Sequence, residues 1–99
     1  MLEKLQIDDF TNRIGEQFTI ALTDGSELHL ILSEVSPLTT SPHEQGRQAF
    51  SLLLRNDRLD AYLPQQIHRL HHPEMGALDL FLVPLGPRKD GMYYEVLFT

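Results

Sequence analysis

Residues 63–87 read LPQQIHRLHHPEMGALDLFLVPLGP, and their reading decides the fold class. The stretch holds the longest apolar run of the chain, three of its five histidines and four of its six prolines. Its second half is the simpler part. Residues 78–85 (LDLFLVPL) form a strand apolar on both faces, which suits a central strand or one covered on its outer side. Pro84 has no N–H for a ladder, so one edge is free there or the strand bulges. His72-Pro73-Glu74-Met75-Gly76 turns the chain before it. The first half is ambiguous. Leu59, Leu63, Ile67 and Leu70 fit a helical stripe, yet Pro64 interrupts it and removes a bond to Asp60. Pro64 is acceptable as the first residue of a helix, and Gln, Arg and Leu favour helix by propensity. The other reading keeps residues 65–71 extended and stops them at Pro73.

Outward from this segment the period is two. Phe18, Ile20 and Leu22 alternate with Thr19, Ala21 and Thr23; Leu28, Leu30 and Leu32 alternate with His29, Ile31 and Ser33. Between the two runs lies Asp24-Gly25, a hairpin dipeptide because both residues tolerate positive φ. Strands over 17–23 and 27–35 follow. Residues 48–55 form another strand with Phe50, Leu52 and Leu54 inward, and 92–98 a last one with Tyr94, Val96 and Phe98 on one face. Residues 36–46 (SPLTTSPHEQG) lack any period and read as a long loop, mobile or functional. Residues 86–91 turn the chain. At the start, residues 8–15 read as a short helix capped by Asp8, with Phe10 and Ile14 on one face and Gly15 ending it. Leu2, Leu5 and Ile7 form an arm packed on the body.

Ninety-nine residues make one domain, an arm and helix over 1–15 and a body over 16–99. The net charge of −6 is concentrated early: residues 1–34 hold seven acids and two bases. An acidic chain repels phosphate backbones, so no nucleic-acid partner is expected, and an oligonucleotide-binding barrel is disfavoured. With no cysteine, disulfides, thiolate zinc sites and cysteine nucleophiles are excluded. No apolar stretch approaches the ~20 residues of a membrane helix, and the N-terminal residues do not read as a signal peptide, so a cytoplasmic location without a membrane partner is expected. The five histidines would charge in mild acid, moving the net charge from −6 toward −1 and lowering solubility near about pH 5.

Leu63-Pro64-Gln65, Leu70, His72-Pro73, Gly76, Leu78 and Leu80-Phe81-Leu82-Val83-Pro84 together resemble the signature of a family of small bacterial proteins of unknown function. Phe10, Gly15-Glu16, Phe18, Phe50-Ser51-Leu52, Tyr94-Glu95 and Phe98 extend the resemblance over nearly the whole chain. Members commonly carry β-branched or aromatic residues where this chain has Gln66-Ile67-His68-Arg69, so the resemblance implies a strand there. The resulting expectation is an all-β fold, six mainly antiparallel strands in a small barrel or curled sheet with a short N-terminal helix. The alternative is α+β, with residues 64–72 helical. The resemblance implies no activity; it implies an association with phage-tail-like proteins.

The candidate site residues are Gln65, His68, Arg69, His71, His72 and Glu74. In a helix, His68 and His71 or His72 share a face at workable ligand spacing; in a strand, His68 and His72 face one side and His71 the other. Neither HExxH nor HxH is present, so no metal or other cofactor is assigned. No nucleophile elbow or phosphate-binding glycine loop occurs. Gln65 and Gln66 suit hydrogen bonding to a neighbouring strand edge. The functional expectation is a non-catalytic protein-binding or assembly module, monomer or homodimer, with a protein partner. The alternative is a metal- or small-molecule-dependent enzyme using residues 68–74.

Overall fold

In the computed structural model, which describes residues 5–38, 49–58 and 63–98, the ambiguous stretch is a strand. The elements are α1 (Asp8–Thr11), β1 (Gln17–Ala21), β2 (Glu27–Pro37), β3 (Phe50–Asn56), β4 (Gln66–His72), β5 (Gly76–Arg88) and β6 (Gly91–Phe98). The strands close into an antiparallel barrel in the order β1-β2-β3-β6-β5-β4. The helical alternative for residues 64–72 fails because β4 pairs with β5 along its whole length, from Gln66 opposite Leu82 to His72 opposite Gly76. Helix propensity is worth only tenths of a kcal/mol per residue (about 0.7 at most for ordinary residues), and a full ladder with Leu70 buried outweighs it.

The β1–β2 hairpin forms by a different turn from the one its dipeptide implies. Gly25 N–H donates to the Leu22 carbonyl (3.0 Å), and Leu22 N–H donates to the Ser26 carbonyl (2.8 Å). Only Gly25 takes a positive φ, +90°. Asp24 stays at negative φ, and its carboxylate accepts bonds from the Ser26 N–H and hydroxyl. This is a type I turn followed by a left-handed glycine. β1 therefore ends at Ala21, two residues earlier than the alternation implies.

Two bulges curl the sheet. Ser33 is extra between the Leu32–Leu54 and Glu34–Leu53 pairs, and Leu85 is extra between Pro84–Tyr94 and Gly86–Tyr93. The second sits beside Pro84, so the bulge alternative holds there. Ser36 and Pro37 prolong β2 instead of opening the loop, and Gly86 and Pro87 prolong β5 instead of turning. Residues 39–48, most of the expected loop, lie outside the described residues, as do Leu2 and Leu59.

Inward side chains from all six strands fill the barrel: Phe18, Leu30, Leu52, Leu54, Leu70, Leu80, Leu82 and Tyr94 are almost wholly buried. Phe10 closes one end. Its ring lies 5.9 Å from Phe50 and 5.5 Å from Phe98, and those two stack at 4.5 Å. Leu5 and Ile7 pack against the same core, as an arm should. The helix itself is a single turn. Its N-cap is Ile7, and Asp8 does not cap it; the neighbouring Asp9 carboxylate accepts the Gln6 N–H at 2.7 Å. Because the helix stops at Thr11, Ile14 falls off the Phe10 face and is exposed.

Candidate functional site

The barrel closes where β1 meets β4, and the ladder there is thin, with Thr19 opposite His71 as the register pair. Side chains reinforce the seam. His72 points inward, its ring 4.8 Å from that of Phe18. Its Nδ1 accepts the backbone N–H of Glu74 (3.1 Å) and of Met75 (3.2 Å), holding the β4–β5 turn. The proton of the neutral ring therefore sits on Nε2, which donates to Glu16 Oε1 at 2.7 Å. Arg13 bridges the two carboxylates, 3.4 Å from Glu16 and 2.5 Å from Glu74. Its hydrogen bond and its positive charge hold the Glu74 carboxyl below the usual range.

Glu16, His72 and Glu74 bring their donor atoms within 4.8 Å of one another, a metal-like grouping. The chemistry of the set does not fit a cation. Both His72 nitrogens are committed, one as an acceptor from two backbone N–H groups and the other as a donor to Glu16. A ligating imidazole instead offers one bare nitrogen and donates from the other. Arg13 already supplies the positive charge between the carboxylates.

Of the six candidate residues, only His72 and Glu74 come together. Gln65 is exposed just before β4. His68, half-buried, donates from Nε2 to the Pro64 carbonyl at 2.9 Å. Arg69 and His71 point outward. Arg69 grips Asp79 on β5 through two bonds, 2.8 and 3.1 Å, which lowers the Asp79 pKa. His71 lines a shallow cleft with Thr19, Ala21, Glu27 and Pro73. Arg13 and Glu16, which complete the His72 cluster, stand 61 and 56 residues from their partners, and no local pattern announces them.

A second feature occupies the outer wall. The strand apolar on both faces, β5, is not covered on its outer side: Phe81 is 47 % exposed. It pairs with Ile67 on β4, which is 64 % exposed. Two residues beyond the Val83–Glu95 pair, Leu97 on β6 is 53 % exposed and lies opposite Ser51 on β3. Half-buried Val83 and Leu53 flank Glu95 on its two sides. Apolar residues thus run across four adjacent strands, with one carboxylate among them. The doubly apolar pattern of residues 78–85 was the sequence signal for this face.

Fold and surface together define a small closed six-stranded antiparallel barrel with one end plugged by a helical turn and an apolar stripe on its wall. The chain belongs to a family described as a domain of unknown function (DUF6916), whose family model matches residues 5–98. No curated protein and no solved structure matches it.

Proposed function

We propose that this domain is a non-catalytic protein-binding or assembly module that docks through the outer face of β4, β5, β6 and β3. The observation that carries this reading is the stripe of Ile67, Phe81 and Leu97, three large apolar side chains about half or more exposed on adjacent strands. Contiguous exposed apolar surface marks interaction sites, whereas single exposed apolar residues need no explanation. The family resemblance adds a partner class, components of phage-tail-like assemblies. The alternative enzymatic use of residues 68–74 is disfavoured because Arg13, Glu16 and two backbone N–H groups already satisfy His72 and Glu74.

A photo-crosslinking amino acid at position 81 tests the reading in cells of the native host. The expected result is a discrete heavier adduct, absent when the crosslinker replaces Thr23 on the β1–β2 turn. A tail-type component identified in the adduct supports the assembly role. Identical labelling from both positions overturns the docking face.

A further inference from the structure

Glu95 is out of keeping with its surroundings. It is half-buried on the outer face of β6, between Val83 of β5 and Leu53 of β3, with Leu97 next on the same face. Among the described residues it has neither a hydrogen-bond nor an ion-pair partner. Three cations of the outer wall have partners: Arg69 with Asp79, Arg55 with Asp57, Arg88 over the Tyr93 ring at 4.3 Å. Arg55, one row from Glu95, and Arg88, two rows away, are thus already engaged. A carboxylate set among apolar side chains without a partner is unfavourable for the isolated domain. A bound cation would reverse that.

We propose that the partner is a basic amphipathic helix, which lays apolar side chains over Ile67, Phe81 and Leu97 and sets a lysine or arginine on Glu95. The proposal rests on the docking face read above and names its occupant. Charge selects it locally: Glu95 is a carboxylate without a partner among the described residues of this face, and it calls for a cation. The net −6 of the chain, held mostly in residues 1–34, disfavours a second copy, an anionic lipid surface or a nucleic acid at long range. Geometry agrees. Neighbouring strands stand about 4.8 Å apart, so the three apolar side chains span about 10 Å. A helix covers about 10.5 Å from residue i to i+7, with i+4 between. β5 and β6 are paired on both sides, so the occupant reads side chains and not a free ladder edge.

The test pans a displayed library of random 16-residue peptides against the purified domain, and in parallel against Glu95→Lys and Phe81→Asp, each checked by circular dichroism and thermal melting. Leu97→Gln replaces Phe81→Asp if the latter fails to fold. The wild-type domain is expected to enrich peptides with apolar residues at i, i+4 and i+7 flanked by Lys or Arg. Those peptides should bind Glu95→Lys at least about tenfold more weakly. The Glu95→Lys pan should enrich Asp or Glu in place of the base. Peptides lost with Phe81→Asp but indifferent to Glu95→Lys overturn the basic partner while leaving the docking face intact. Peptides indifferent to Phe81→Asp, or no enrichment at all, overturn both. Self-association of the wild-type domain that Phe81→Asp abolishes makes a second copy the occupant and also overturns the proposal.

Discussion

Gly91 packs directly against the backbone carbonyl of Asn56, so closely that a Cβ on Gly91 would overlap that oxygen. The two residues begin β6 and end β3, next to the Asn56–Met92 register pair. Asn56 is itself buried and fixed: its Nδ2 donates to the His29 carbonyl at 2.7 Å, and its Oδ1 accepts the Arg58 N–H at 2.9 Å. Gly91 also has φ +143°, a conformation side chains rarely adopt. Backbone on both sides of the contact leaves nothing flexible to yield. Gly91→Ala should therefore lower stability by about 2–4 kcal/mol, read from the urea midpoint at constant slope. Gly25→Ala, where a Cβ meets open space and only the turn conformation suffers, should lose about 1 kcal/mol. Equal losses at the two sites would contradict the close approach.

Acid should expose two ion pairs, one at the β4–β5 turn and one on the barrel wall. Glu74 is held by Arg13 and Asp79 by Arg69, and each carboxyl titrates below its ordinary value because of that hydrogen bond and charge. The folded state then binds protons less readily than the unfolded chain. The stabilisation is complete above the ordinary carboxylate pKa, about 4, and disappears as the pH falls through the depressed values. Wild type should exceed the Glu74→Gln, Asp79→Asn double variant in urea midpoint by a constant margin above about pH 5, and the margin should shrink steadily as the pH falls below the ordinary carboxylate range of about 4. A margin unchanged at pH 2.5 would show that the carboxylates contribute through packing and not charge.

The contrast between what the chain announces and what it conceals follows from range. The alternation around Asp24-Gly25, the His-Pro to Gly turn and the bulge beside Pro84 are local, and each is legible from the residues alone. The strand over 66–72 was not: its own propensity points to helix, and the ladder with β5 overrides it. Closure of the barrel by β1 against β4 depends on Thr19 meeting His71, and the His72 cluster on Arg13 and Glu16. No spacing rule covers such distances along the chain. The apolar outer stripe was half legible. Residues 78–85 show two apolar faces, but whether the outer one is covered is a property of the neighbours.

His72 should tolerate no substitution that drops both of its roles. His72→Phe keeps the ring contact with Phe18 but leaves the Glu74 and Met75 N–H groups without their acceptor and the Glu16 carboxylate with Arg13 alone. The loss should be about 2–3 kcal/mol by urea unfolding. The same geometry makes a zinc prediction. Because Nε2 carries the proton and Arg13 sits between the carboxylates, one equivalent of zinc should leave the melting temperature of untagged protein unchanged. A metal bound at a hundredfold excess over its Kd would add about 2.7 kcal/mol, several degrees in a domain of this size. A rise of that order, abolished in His72→Phe, would show the cluster rearranging to ligate.

Glu95 gives the last prediction, one independent of any partner. Its carboxylate lies between Val83 and Leu53 with nothing to pair with among the described residues. Replacing it with valine removes the unpaired charge, adds a β-branched residue to a central strand and joins the apolar side chains on either side. Glu95→Val should raise stability by about 0.5–1 kcal/mol while making the domain more prone to associate through the enlarged apolar face. Glu95→Gln, which keeps the size and removes only the charge, should give part of the gain without the association. Urea unfolding with sedimentation analysis separates the two effects. Destabilisation by both variants would mean that the carboxylate is structurally satisfied and carries no unmet charge.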